Sequence, residues 1–280
     1  MTQAWTSTLP DGVAVAYRRM KFDFDEQMPR HWHSGSPSIT HFFTALSVVL
    51  PEGEKFFIDS VRYFEDEDLD PKTREEVREF VKQEAHHTYQ HRIYNKIVAA
   101  QGFPLERYGA IVRGMLWFVR KILTKRTQLA VTVALEHFTA TVADQLFTNP
   151  KLTEGMDPAV KPLWLWHAVE EMEHKAVCFD VYQQVGGSNW TRVLTMARVM
   201  FAFPLGLTFL QLALLAADGK VFDLRDLGRG LRFVWGKGGF VRGILPQLRA
   251  FYRPDFHPWQ VDNRELISAW TAENQRYVAG

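Results

Sequence analysis

From about Pro37 to Gly187, apolar residues recur at three- and four-residue spacing, the period of amphipathic helices, and the chain is expected to be all-α. Asp70-Pro71 and Asp157-Pro158 each place an N-capping carboxylate before a proline at the first helical position. One helix is therefore expected from Pro71 to about Ala100, stopping near Gly102-Phe103-Pro104. Another is expected from Pro158 to the glycines at 186 and 187. A helix containing Glu54 precedes the first, and one from about Lys125 to Phe147 precedes the second. Residues 13–24 alternate only loosely and suggest a short strand or an extended arm. The pattern divides into an arm (1–36), a helical bundle (37–187) and a C-terminal helical extension (188–280) packed on the bundle.

The extension changes character along its length. Val199–Ala217 carries no formal charge, is broken only by Pro204, Gly206, Thr208 and Gln211, and falls near the ~20 residues that span a bilayer. It reads as a membrane-inserted segment or as a buried helix covering the bundle or a dimer contact, and its marginal length favours the buried reading. Arg225, Arg229, Arg232, Lys237, Arg242, Arg249 and Arg253 follow, a stretch suited to anionic headgroups if the run meets a membrane. Pro254 and Pro258 mark a loop before a final polar helix.

Polar residues interrupt the apolar stripes in a repeated way. Glu54 lies on the stripe of Phe43, Ser47, Phe57 and Val61, and Glu136 on that of Leu129, Val133 and Ala140. Glu84, His87 and His91 share the stripe of Val77, Phe80 and Tyr94, while His167, Glu171 and His174 share that of Leu163, Cys178 and Val181. A buried carboxylate without a partner costs several kcal/mol, so four of them on adjacent stripes call for shared cations. Arg and Lys are scarce on these stripes, which argues against a buried ion-pair network. Positions i and i+3 point the same way on a helix, so Glu84-Ala85-His86-His87 and Glu171-Met172-Glu173-His174 can each offer a carboxylate and an imidazole to one ion. A lone glutamate followed by Glu-x-x-His, twice, is the ligand order of ferritin-like dinuclear bundles. The expected core is thus a ferritin-like four-helix bundle holding two metal ions, with Fe preferred and Mn or Zn as alternatives.

Neighbouring residues have less specific readings. His91 serves as an additional ligand, an outer hydrogen-bonding partner or, more simply, a core histidine. Asp144 and Asp180 are candidates to orient ligand imidazoles, with a surface position equally expected. His86, His137, Glu170 and Glu173 lie about 100° around the helix from ligands and read as solvated or interhelical partners. His31-Trp32-His33 reads as incidental.

Composition narrows the field. With a formal net charge of +1, no global field draws the chain to nucleic acid. Cys178 is the only cysteine, which excludes an intramolecular disulfide and a Cys-rich metal site. The first residues lack a basic start and an apolar stretch, so no secretory signal is expected and a cytoplasmic protein is, with the inner face of the membrane as its outer limit.

The segments Pro51–Phe57, Gln83–His87, Ala134–Phe138 and Trp166–Ala176 resemble the bacterial family called predicted metal-dependent hydrolases. The last is also similar to the p-aminobenzoate N-oxygenase group of di-iron enzymes, in which a third histidine precedes the second Glu-x-x-His by one turn. The resemblance implies Glu54, Glu84, His87, Glu136, Glu171 and His174 as the common ligands and His167 as the additional one. It further implies an oxidoreductase in which two irons activate O2 to oxidise an unidentified small organic substrate, which would be lipid-like if Val199–Ala217 meets a membrane. The alternatives are a hydrolase working through a metal-bound hydroxide, and a non-catalytic storage or buffering protein. A homodimer and a peripheral membrane contact are the expected associations.

Overall fold

Ser36 and Asp70 open the first two helices, each accepting the backbone N–H three residues on, from Ile39 and Thr73, with proline at the next position. The computed structural model describes residues 5–25 and 27–275, and among these all regular structure is helical apart from one isolated bridge between His33 and Met156. The helices are α1 (Pro37–Arg62), α2 (Pro71–Ala100), α3 (Leu105–Ile122), α4 (Lys125–Thr148), α5 (Lys161–His174), α6 (Val177–Gln184), α7 (Asn189–Ala217), α8 (Leu224–Trp235), α9 (Phe240–Ala250) and α10 (Arg264–Glu273).

Helix α1 packs on α2, and α4 packs on α5 and α6; α1 also meets α4, and α2 meets α5 and α6. The four stripes of the sequence thus face one interior, filled by Phe43, Phe57, Val61, Phe80, Tyr94, Leu129, Val133 and Leu163. Around this frame α3 and α8 lie against α1, α9 against α4, α10 against α5, and α7 against both α1 and α4.

The fourth arm of this arrangement is broken, contrary to the continuous helix expected from Pro158. Asp157 accepts from Ala159 N at 2.9 Å, and this local turn replaces a cap. Helix α5 begins only at Lys161, with Pro162 in its first turn. It ends at His174, and α6 restarts at Val177, the break falling where the buried Lys175 ammonium donates to Val261 O and Asn263 Oδ1, both at 2.6 Å.

The N-terminal segment is an extended arm, with no strand among its described residues. Its backbone carbonyls are satisfied by side chains of α2: Gln83 Nε2 donates to Ala16 O, and Gln90 Nε2 to Met20 O. Helix α7, which contains the uncharged run, is long and apolar enough to cross a membrane by length and composition. It is not fully buried as expected. Leu207, Leu210 and Leu214 pack inward, while Phe201, Leu205 and Phe209 face outward, Phe201 with 75% of its surface exposed.

Candidate metal centre

Each long helix of the frame brings its stripe glutamate to one point. Glu54 (α1), Glu84 and His87 (α2), Glu136 (α4), and His167, Glu171 and His174 (α5) converge in the interior, and none is more than 5% exposed. Two triads have ligand atoms within 4.8 Å of one another: Glu54, His87 and His167, and Glu84, Glu171 and His174. Glu136 joins the second, its Oε2 3.4 Å from His174 Nε2. Glu171 ties the two together, with one oxygen 3.0 Å from His167 Nε2 and the other 3.5 Å from His174 Nε2.

The donor atoms themselves are left bare. Both oxygens of Glu84 and of Glu136, Glu54 Oε1, His87 Nδ1 and His174 Nε2 are buried without a hydrogen-bond partner among the described residues. Unpartnered buried polar atoms are rare because each forfeits its hydration, and seven around one point match the donor set of cations. Carboxylate oxygen and imidazole nitrogen suit Fe, Mn or Zn.

The outer nitrogen of each imidazole is held, and for two of them the hydrogen bonds fix the tautomer. Pro51 in α1 has no N–H to give the carbonyl of Ser47, four residues back. Asn95 Nδ2 donates to that carbonyl instead, at 2.8 Å. The amide orientation is thereby set, so Asn95 Oδ1 accepts from the Ser47 hydroxyl at 2.9 Å. Having spent its proton, Ser47 Oγ accepts from His91 Nδ1 at 2.8 Å. His91 Nε2 must then accept from His167 Nδ1 at 2.9 Å, and His167 turns Nε2 to the centre, 3.0 Å from Glu171 Oε1. His91 is therefore an orienting partner of His167. The same logic applies to His174. Gln83 Nε2 donates to Ala16 O and Glu173 Oε2, leaving Gln83 Oε1 to accept from His174 Nδ1 at 2.9 Å. The Nε2 that remains is the bare one. His87 turns Nε2 toward Glu170 Oε2 at 3.0 Å and Nδ1 toward Glu84 and Glu171. Carboxylate or carbonyl partners of this kind orient ligand imidazoles and raise their basicity. Replacing Gln83 with Leu is expected to weaken metal affinity about tenfold to a hundredfold, read by competition with a chromophoric chelator. Unchanged affinity would contradict the orienting role.

Burial, and then the neighbouring carboxylates, push Glu84 and Glu136 well above the ordinary carboxylate range; burial does the same for Glu54, with Glu171 adding to it against the Thr88 hydrogen bond. For Glu171 burial acts upward too, but His174 and His167 outweigh it and hold this group low. Burial and repulsion from the other imidazoles push His87 down. Thr88 Oγ1 donates to Glu54 Oε2 at 2.9 Å, and Thr139 Oγ1 donates to Glu171 Oε2.

Of the residues beside the candidate ligands, Glu170 and Glu173 are not solvated, and the structure buries both in one charged network. Arg18, from the arm, donates to both carboxylate oxygens of Glu173 at 2.5 and 2.8 Å and to Glu170 Oε1 at 3.3 Å. Glu170 Oε1 also accepts from Trp166 Nε1 at 2.9 Å. Burial works against the Arg18 charge, but Glu173 and Glu170 outweigh it and raise its pKa. His86 Nε2 contacts Met20 O, and His137 Nε2 contacts Gln247 O, each at 3.0 Å and away from the centre.

Asp144 and Asp180 touch no ligand imidazole and are not on the surface. Asp144 accepts from Asn263 Nδ2 and Gln247 Nε2, and Asp180 from Trp5 Nε1 and the Thr8 backbone and hydroxyl, so both carboxylates anchor terminal segments to the bundle. His31 joins His41 on Asp218, but Arg30 already pairs with that carboxylate at 2.7 Å. His33 lies stacked on Phe43 with Nε2 at Leu152 O.

On one side the centre opens. Glu54, His167, Glu171 and Thr139 form part of the wall of a cavity of about 820 Å³ bounded by α1, α3, α4, α5 and α7. The rest of that wall is almost entirely aliphatic and aromatic, and its charged members beyond the ligands reduce to Arg198.

A family model described as predicted metal-dependent hydrolase matches residues 16–262. The comparisons with curated proteins and with solved structures give no match.

Proposed function

The chain belongs to the predicted metal-dependent hydrolase family, and from that premise we propose that it is a metal-dependent enzyme whose Glu54, Glu84, His87, Glu136, His167, Glu171 and His174 hold two metal ions. The observation that carries this is the set of unpartnered buried donor atoms turned toward one point. The arrangement of a lone glutamate and a Glu-x-x-His, twice over four packed helical arms, supports a ferritin-like centre.

Two chemistries use such a centre. Hydrolysis is the one the family description favours: a bound cation lowers the pKa of a water and polarises the bond it attacks. Oxidation by O2 at two irons is the second reading. It is supported by the ligand set of four carboxylates and three imidazoles, by His167 one turn before Glu171 as in the p-aminobenzoate N-oxygenase group, and by the apolar cavity. The wall of that cavity offers a polar leaving group few partners.

The chain's own contribution is the same for both. Gln83, His91 and Glu170 hold the imidazoles, Thr88 and Thr139 hold one oxygen each of Glu54 and Glu171, and the apolar wall lines the open side. The Thr139 hydroxyl lines the open side, and it is already committed to Glu171. Anaerobic loading with ferrous ion followed by exposure to O2 separates the readings. Uptake of O2 that needs both ions supports oxidation. No uptake, together with cleavage of a long-chain ester by the same loaded protein, supports hydrolysis.

A further inference from the structure

The cavity beside the centre is a groove. On α4 its wall runs from Thr127 to Leu146, which at 1.5 Å per residue is roughly 28 Å of helix axis. Thr139, which binds the ligand Glu171, stands part-way along that wall. The groove reaches the surface between α3 and α7, where Ile111 and Met115 face Phe201, Leu205 and Phe209, all exposed. Near the N-terminal end of the α7 wall stands Arg198, exposed and with no hydrogen bond or ion pair among the described residues. On the α1 wall is Gly53, the neighbour of Glu54, where an added Cβ would meet open space.

A long, apolar, surface-connected groove with one cation at its edge matches one kind of molecule. We propose that the groove binds a single long alkyl chain of an anionic amphiphile, its head at Arg198 and a mid-chain segment against the metal ligands. The volume is within the range of small-molecule sites and the walls leave nothing to satisfy a polar chain, whereas each methylene buried there gains about 0.8 kcal/mol, a factor of about four in affinity. Arg198 adds charge complementarity at the end that solvent reaches. The exposed apolar rim lets such a chain enter sideways, out of an apolar phase, without passing its head through the groove.

This names a substrate class for the proposed centre and rests on that reading only for the chemistry; binding is measured apart from it. The test uses the full-length, metal-loaded protein with a fluorescent long-chain carboxylic acid as probe, displaced by saturated carboxylates of increasing length and by the matching uncharged alcohols. Affinity is expected to rise about fifteenfold for each two added methylenes until the groove is full. Gly53→Leu, which fills the groove, is expected to weaken long-chain carboxylates at least about tenfold while metal content stays as in the unaltered protein. Arg198→Glu is expected to weaken carboxylates and leave the alcohols unchanged. Affinity that is independent of chain length, or untouched by Gly53→Leu, overturns the proposal. So does a groove closed by a second copy of the chain, seen as a dimer in sedimentation that excludes the probe. A protein that takes up no metal when offered Fe, Mn or Zn and still binds the chain overturns the metal reading and leaves the groove assignment standing.

Discussion

Replacing Arg18 with Met is expected to cost about 3–5 kcal/mol, because it strands Glu170 and Glu173 in the interior with no counter-charge. For a chain of this size that is a fall in Tm of roughly 10 °C. Both carboxylates are already pushed upward by burial, and Arg18 is the largest opposing influence on each. Without it they take up protons. Glu170 then ceases to be a charged acceptor for His87 Nε2, so metal affinity should drop along with stability. Adding Glu173→Gln to Arg18→Met removes one stranded charge and should recover part of the Tm. A loss of less than about 1 kcal/mol in the single variant would mean that the pair behaves as a surface ion pair, against its burial.

Metal removal should have an effect of similar size, with a pH dependence whose sign follows from the carboxylates. At a thousandfold excess over its dissociation constant a ligand stabilises by about 4 kcal/mol, so chelation should lower Tm by roughly 10 °C. Burial raises Glu54, Glu84 and Glu136 above their unfolded value of 4.5, so the metal-free fold holds protons that the unfolded chain has released. That contribution is fully present below pH 4.5 and is lost as pH rises toward the folded values. His87 and His91 are depressed and act oppositely, but only below their unfolded value of 6.5. Lys175, lowered by burial to about 7, adds stability above that pH in loaded and metal-free protein alike and cancels from the comparison. As pH rises above 6.5, where His87 and His91 no longer contribute, the gap in Tm between loaded and metal-free protein should therefore widen, since metal binding must displace carboxylate protons. A gap that narrows as pH rises would contradict these carboxylates as ligands.

How much of this could be read from the chain differs from residue to residue. Helix α2 was legible to both ends, since Asp70-Pro71 opens it and Gly102 and Pro104 follow its close. The stripe positions of Glu54, Glu84, His87, Glu136, His167, Glu171 and His174 were legible because their helices carry apolar residues at the same period, and the structure brings all seven together. The period failed on α5. Every residue from Trp166 to His174 is buried, so Glu170 and Glu173 have no solvent face to occupy, and a position 100° from a ligand is still interior. His167, Glu170, Glu171, Glu173 and His174 do gather on one side of this segment, and no local pattern tells such a side turned inward from a solvated one. Their counter-ion Arg18 comes from an arm with no periodicity at all, and no local pattern places it there. The relay from Asn95 through Ser47 and His91 to His167 depends on a carbonyl freed by Pro51, which in the sequence was only a proline inside a helical stretch. The late start of α5 reflects an Asp-Pro pair that served a turn instead of a cap, a choice set by what packs around Asp157, whose N–H donates to Trp32 O.

The most direct test of the centre is metal stoichiometry by elemental analysis, in the unaltered protein and in Glu136→Ala and His174→Ala, each checked for unchanged helix content. The unaltered chain should hold two ions, and each variant one or fewer. A chain that holds none when offered Fe, Mn and Zn, or variants that still hold two, would contradict the dinuclear site.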